Sequence, residues 1–347
     1  MRILLLCTDA YGGHGGIALF NRELSSALSA HPRIEEIVVV PRVIRAELQP
    51  LPPKVTFVRS AAGGNAAYAK TILGLMREKF DLVICGHVNL LPVAGAITKD
   101  PVLVTHGFEA WKPLRSPLQR RVLERCRGVI AVSQLTLDRF ADWSQFAGKK
   151  LVLPNAIRAE QYGIRPKNEA MLDRWSLRGK RVLLTVGRLD PDERYKGFDE
   201  VIDVLADLPE DVVYLIAGSG DDMSRLRAKA KERVVFTGYF EEHEKADIYN
   251  LADAYVMPSR GEGFGFVFLE ALASGVPVIG SRFDGGREAL LGGELGLLVD
   301  PSSPAEIRSA ILELLGRAER RVPERLEFFS YPNFEKRVHA IIERVSS

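Results

Sequence analysis

Two glutamates, Glu262 and Glu270, stand with seven residues between them in the run Ser259-Arg-Gly-Glu-Gly-Phe-Gly-Phe-Val-Phe-Leu-Glu270. The glycines Gly261, Gly263 and Gly265 follow an apolar run that ends at Met257 and Pro258, and a helical pattern starts near Phe266. Glycines let the backbone come close to a ligand, and a helix start offers free N–H groups and a positive dipole end. Such a turn is a phosphate cradle, with Gly263, Phe264 and Gly265 as its candidate contacts. Glu270 is the only charge in the segment Phe266–Ser274. A carboxylate on so apolar a helix needs fixed donors, either ligand hydroxyls or an interior arginine or lysine. Glu262, in the loop itself, is a second candidate for ligand hydroxyls, or else a solvated acid.

Two cations come from another strand end. Arg188 lies in Thr185-Val-Gly-Arg-Leu-Asp190, and Lys196 follows eight residues on in Tyr195-Lys-Gly-Phe198. One forked guanidinium and one compact ammonium suit a diphosphate. The competing reading pairs them with Asp190, Asp192 or Glu193. Near the N-terminus, Tyr11-Gly-Gly-His-Gly-Gly-Ile17 joins the first strand to the first helix, and it loosely matches a dinucleotide fingerprint. That fingerprint requires an acid after the second strand, where the sequence has Val40-Pro41-Arg42, so NAD is not expected. Asp221 and Asp222 open a helix, where acids are favoured without any metal. No cofactor and no metal are expected.

Positioning these residues requires strands. Short apolar runs alternate with helix-length segments: Arg2–Cys7, Glu36–Val40, Val55–Val58, Leu82–Cys85, Val102–Thr105, Gly128–Val132 and Leu151–Leu153, then Arg181–Val186, Val212–Ala217, Val234–Phe236, Ala254–Met257, Pro277–Ile279 and Leu297–Val299. Most are apolar throughout, as in parallel strands covered on both faces. Helices are expected at Ile17–Ala30, Ala66–Lys79, Phe198–Leu205, Met223–Lys231, Phe266–Ser274 and Asn333–Val345. The polar stretch Arg158–Asn168 separates the two sets. The chain therefore reads as two α/β domains, 1–163 and 164–330, with residues 331–347 packing back on the first. Their strand ends border a cleft where ligands of open α/β sheets bind.

Composition bounds the function classes. At 347 residues, 46% hydrophobic and 27% charged, the chain suits two globular domains. No apolar run approaches the ~20 residues of a membrane span. Three scattered cysteines predict neither a disulfide framework nor a zinc site, and they fit a reducing cytoplasm. Residues 1–165 hold 22 Lys and Arg against 13 Asp and Glu, and the remainder 25 against 32. A basic first half facing an anionic membrane or acceptor competes here with an ordinary solvated surface. The densest basic stretch, Lys112, Arg115, Arg120, Arg121, Arg125 and Arg127 with Trp111 and Leu114 between, suits anionic headgroups. It lacks a nucleic-acid pattern.

The motif Pro258-Ser-Arg-Gly-Glu-Gly-Phe-Gly265, followed by Ala273-Ser-Gly-Val-Pro-Val-Ile-Gly280, resembles the two-glutamate motif of the large retaining glycosyltransferase family of group 1, family four type. That family includes bacterial mannosyl- and glucosyltransferases and sucrose synthase. The resemblance extends over nearly the whole chain. It implies the GT-B fold, two facing Rossmann-like doubly wound parallel-sheet domains with an interdomain cleft. The N-terminal domain would bind the acceptor and the C-terminal domain the nucleotide sugar, which is a substrate and not a cofactor. By the same resemblance Arg188 and Lys196 bind the donor phosphates, Glu262 the sugar ring, and Glu270 the ribose. Gly15 and Gly16 approach the phosphate and sugar, His106 in Val104-Thr-His-Gly107 contacts the sugar, Tyr239 meets the base, and Ser133 and Asn155 lie on the acceptor side. Bland readings of Ser133 and Asn155 as turn residues, and of His106 as a strand-end cap, stand beside these. The segment Asp284-Gly-Gly-Arg-Glu288 departs from relatives by the extra charge of Arg287.

The expected reaction is retaining, metal-independent transfer of a mannose- or glucose-type hexose to a glycan or lipid-linked acceptor in surface polysaccharide or glycolipid assembly. It would run in the cytoplasm, at the inner membrane face if the basic stretch docks there. The alternatives are a nucleotide-sugar epimerase of the same fold and a non-catalytic nucleotide-binding subunit.

Overall fold

A computed structural model describes residues 1–230, 232–317 and 320–346. The chain divides into two units, Met1–Ala156 together with the segment from Tyr331, and Ile157–Ser330.

The first unit is built on a parallel seven-stranded sheet. Its strands are β1 (Arg2–Cys7), β2 (Glu36–Pro41), β3 (Val55–Phe57), β4 (Leu82–Cys85), β5 (Val102–Thr105), β6 (Gly128–Ala131) and β7 (Lys149–Val152), in the order β3-β2-β1-β4-β5-β6-β7. Ile3 is in register with Ile37 on one side and Leu82 on the other. The sheet is covered by helices, so Leu4, Leu6, Val40, Cys85, Leu103 and Val129 are fully buried, which is why the strands read as unbroken apolar runs. The closing helix, Tyr331–Ser346, lies against the first helix, Gly16–Ala30. Phe334 is fully buried there, edge-on to Phe20 at 6.1 Å.

The second unit repeats the plan with six parallel strands. These are β8 (Arg181–Val186), β9 (Val212–Ala217), β10 (Val234–Gly238), β11 (Ala254–Val256), β12 (Val278–Ser281) and β13 (Leu297–Val299), in the order β10-β9-β8-β11-β12-β13. In each sheet the chain starts at the middle, winds out to one edge, then returns to pair the next strand with the first. The crevices at β1/β4 and β8/β11 are therefore topological switch points, where the loops after the carboxyl ends of adjacent strands diverge and leave room for a ligand.

Beyond shifts of one or two residues at several element ends, three details differ from the sequence expectation. The stretch taken as a linker is fastened to the second unit: Ile157 bridges to Ser330, and the Gly163 amide donates to the Ala273 carbonyl, so the division falls at residue 157 and not at 164. The helix expected over Ala66–Lys79 runs Asn65–Leu75, because the Arg77 and Glu78 amides close tight turns onto Gly74 and Leu75 and lead the chain into β4. The helix from Met223 ends at Lys229, where Ala230 turns extended; Lys231 lies outside the described residues.

Truncating a fully buried phenylalanine removes its burial and leaves a cavity, at a cost of about 3–5 kcal/mol. Phe334→Ala is expected to lower the stability of the first unit by that amount. Urea unfolding followed through Trp111 and Trp143 checks it, with Trp175 reporting the second unit. A loss below about 1 kcal/mol would show that the closing helix adds little to that core.

Candidate active site

The two loops at the β8/β11 switch point carry Arg188, Lys196 and Glu262, and they are fastened to each other by backbone. The Arg260 amide donates to the Tyr195 carbonyl at 2.8 Å. Gly197 holds φ +85°, and a Cβ there would sit 2.6 Å from the Pro258 carbonyl oxygen. Only glycine combines that backbone conformation with so close a contact. The residue after Lys196 thus sits directly on the backbone that leads to Glu262.

Lys196 is largely buried, and its Nζ lies 2.7 Å from Glu193. Glu193 also pairs with the Arg188 guanidinium, so one carboxylate spans both cations. Of the three acids weighed against a phosphate role, it is Glu193 that closes the pair. Burial pushes the Lys196 ammonium below its usual range, and the charge of Glu262 opposes that shift. Burial raises the Glu262 carboxyl, with Lys196 pulling it back. Arg188, Lys196 and Glu262 therefore form one electrostatic cluster, joined by Glu193 through its ion pairs and by Asp190 through its charge.

The Glu262 loop is held by a residue that sequence reading missed. Asp284 is 2% exposed and accepts three hydrogen bonds: from Ser259 Oγ at 2.6 Å, from the Glu262 amide at 3.0 Å and from the Gly286 amide at 3.0 Å. The Gly285 amide donates in turn to the Glu262 carbonyl. The signal was an acid directly before a glycine pair, a common way to receive turn amides. Burial, reinforced by the Glu262 charge, pushes the Asp284 carboxyl up to about 7.

Glu270 does not stand alone. It is 2% exposed, ion-paired to Lys245 at 2.7 Å, and accepts the Tyr249 hydroxyl at 2.7 Å. Tyr162 lies near enough that burial and the Glu270 charge together push its phenol up. The inference that its isolation calls for ligand hydroxyls therefore fails, and the interior-lysine reading describes what is present. Lys245 starts the neighbouring helix Lys245–Leu251, and no spacing in the sequence pairs it with Glu270. In the glycine turn the Phe264 ring is 2% exposed and packs edge-on against Phe329, so only the backbone of Gly263, Phe264 and Gly265 can meet a ligand. Tyr239 is 63% exposed with its hydroxyl near Glu241.

The remaining candidates belong to the first unit. Gly12 and Gly13 are packed by Ile44 and Asp9, whereas Gly15, with φ +91°, and Gly16 are exposed at a helix start with no side-chain cap and no acid in the first turn. Those free amides suit an anion. His106 follows β5, and its Nε2 lies 2.9 Å from the Gly86 carbonyl after β4. Nε2 must carry the proton in that bond, which leaves Nδ1 as an acceptor. Burial lowers the His106 imidazole, so it is neutral near pH 7. Ser133 caps the helix Gln134–Ser144, with its oxygen accepting the Thr136 amide and its hydroxyl donating to Thr136. It is fully buried, which matches the bland reading. Asn155 is 5% exposed, and its Oδ1 has no hydrogen-bond partner in the protein.

Asp222 is held by Arg194 and Arg225, which lower its carboxyl to about 2. Among the described residues no group of three or more His, Cys, Asp or Glu side chains gathers to hold a metal.

The Asp284 carboxyl lies above the unfolded aspartate value of about 4. The folded chain thus binds the extra proton between roughly pH 4 and 7, and stability falls as pH rises through that window. The stability of the wild type relative to Asp284→Asn is expected to fall from about pH 5 to pH 8. Thermal unfolding read at Trp175, in the second unit, measures it. A difference independent of pH would place the carboxyl in the ordinary range.

Known proteins resemble this chain along most of its length. The model of the glycosyl transferases group 1 matches residues 180–317, and that of glycosyltransferase family 4 matches residues 14–161. The phosphatidyl-myo-inositol mannosyltransferase of Mycobacterium leprae is 28% identical over 337 residues, covering 91% of this chain and 87% of that protein. The GDP-mannose-dependent alpha-(1-6)-phosphatidylinositol monomannoside mannosyltransferase of Mycolicibacterium smegmatis is 32% identical, over 63% of this chain and 62% of its own. Among solved structures, Anabaena HepE in complex with UDP and glucose aligns over 100% of both chains with a TM-score of 0.77 at 21% identity. Sucrose-phosphate synthase of Thermosynechococcus elongatus covers 99% of this chain and 96% of its own, with a TM-score of 0.71 at 21% identity. The chain therefore belongs to the group 1, family four glycosyltransferases and is a glycosyltransferase of the GT-B fold.

Proposed function

We propose that the chain transfers a hexose of the mannose or glucose type, with retention of configuration, from a nucleoside-diphosphate sugar to a lipid-linked or glycan acceptor. The observation that carries this is the convergence of Arg188 and Lys196 beside Glu262 at the β8/β11 switch point. Two cations there can take the diphosphate, and the charge that grows as the sugar–phosphate bond breaks strengthens both contacts in the transition state. Their positive charge fills the place of a metal ion, which makes the reading metal-independent. Glu262 holds ring hydroxyls. Glu270, oriented by Lys245 and Tyr249, takes the ribose with its remaining lone pairs.

In the proposed step the bond from the anomeric carbon to the phosphate oxygen breaks. The acceptor oxygen bonds to the same face of that carbon, and the acceptor proton passes to the leaving phosphate, which departs as nucleoside diphosphate. Gly15, Gly16 and His106 keep the donor-side roles that the resemblance implies, and His106 Nδ1 can accept a sugar hydroxyl. Asn155, with its unpaired oxygen, is favoured over Ser133 as an acceptor-side contact. The names of the relatives support a mannosyl donor and an inositol-lipid type of acceptor.

No described helix is long and apolar enough to cross a membrane. A peripheral site on an anionic cytoplasmic surface is proposed through Lys112, Arg115, Arg121 and Arg125, which are exposed. Leu114, expected among the headgroups, is instead buried, and the Trp111 indole N–H donates to Thr136. Phe108 and Leu118, 55% and 54% exposed, are the apolar groups this face presents.

Arg188→Ala and Lys196→Ala are each expected to lower kcat/KM by roughly 10²–10³. Thermal-shift screening against UDP-, GDP- and ADP-sugars identifies the donor, since bound donor raises Tm. Anomer-resolved analysis of the product then tests retention, with donor alone as the control for epimerisation. An inverted product, or full activity in both variants, contradicts the proposal.

A further inference from the structure

We propose that Glu193 is an internal stand-in for the donor diphosphate: its carboxylate takes the two cationic contacts that the phosphates require, so the donor binds by displacing it. This rests on the reading that Arg188 and Lys196 hold the diphosphate.

The geometry is that of an anion already seated. One Glu193 oxygen pairs with the Arg188 guanidinium, and the other lies 2.7 Å from Lys196 Nζ. The Glu193 side chain is 12% exposed and the Arg188 side chain 65% exposed, so the carboxylate sits on the inner side of a guanidinium that itself faces outward. A carboxylate and a phosphate present the same anionic acceptors to a guanidinium and an ammonium, and the two compete for the same donors.

Charge balance argues against both anions sharing the site. Arg188 and Lys196 bring two positive charges; Glu193 and Glu262 bring two negative ones. A diphosphate entering that cluster meets no net attraction and one carboxylate in its place. Asp190 also acts on Lys196, so with Glu193 turned out one of the negative charges leaves and the phosphates regain both cations.

The backbone permits that turn. Glu193 lies in the short 3-10 segment Pro191–Lys196 and is its one non-helical residue, at φ −109° and ψ 18°. Its neighbours are tied down: Arg194 to Asp222, and the Tyr195 carbonyl to the Arg260 amide. Displacement therefore needs a side-chain rotation while the flanking chain stays anchored. Glu193 would then lower the affinity for donor and, equally, speed the departure of the diphosphate product.

The test is calorimetric titration of the full chain with GDP and with UDP. Because binding is reduced by the fraction of time the site is closed by Glu193, Glu193→Gln should bind the diphosphate roughly tenfold more tightly than wild type. Glu193→Ala should move the same way, which guards against an effect of the amide itself. Guanosine and uridine, which lack phosphates, should bind all of these equally. If both Glu193 variants bind GDP and UDP no more tightly than wild type while Arg188→Ala and Lys196→Ala bind more weakly, Glu193 merely orients the cations and the proposal is overturned with the diphosphate reading intact. If Arg188→Ala and Lys196→Ala leave diphosphate affinity unchanged, or no form of the chain binds GDP, UDP or, titrated likewise, ADP, that reading fails and takes this one with it.

Discussion

The second unit depends on keeping an ammonium charged inside protein. Lys196 is largely buried, where desolvation works against its charged form, and the carboxylates that face it oppose that shift. Glu193 and Glu262 supply that compensation from two different loops. The loops can do so because β8 and β11 are neighbours whose connections diverge, and because Gly197 lets one loop rest on the Pro258 carbonyl of the other. Asp284 fixes the second loop by receiving the Glu262 and Gly286 amides. Removing both glutamates would strip the buried Lys196 charge of its nearest partners, which is costlier than losing a surface contact.

On the proposed reading, the same arrangement suits a diphosphate in this crevice. A guanidinium fork and a compact ammonium, both paired to one carboxylate here, offer an anion with several oxygens more donors than a single carboxylate uses. Within the protein the match is made by Glu193. On that reading, electrostatic stabilisation needs only that the two cations, once released by Glu193, face the bond that breaks. Glu270 lies in a separate network with Lys245, Tyr249 and Tyr162, which orients its carboxylate without involving the cations.

The fold was legible because parallel strands buried on both faces leave unbroken apolar runs, and β1, β4, β5, β8, β9 and β13 begin and end where those runs do. Edges were less legible. The helix at Asn65 stops four residues early because tight turns redirect the chain, and the segment from Ile157 belongs to the second unit through backbone bonds that no residue type announces. At the site, Arg188, Lys196 and Glu262 could be read from glycine turns after strands. Their assembly could not, since it depends on which strands pair. Asp284 and Lys245 were missed for the same reason: a partner distant in sequence leaves no periodic trace. Glu193 was visible only as one of three acids, and geometry chose among them.

The most direct test is a crystal structure of the full chain grown with the nucleoside diphosphate it binds, GDP or UDP. The account predicts phosphate oxygens within hydrogen-bond distance of both the Arg188 guanidinium and the Lys196 ammonium, with the Glu193 carboxylate turned out of that position. A diphosphate bound elsewhere, with Glu193 still spanning the two cations, would contradict it.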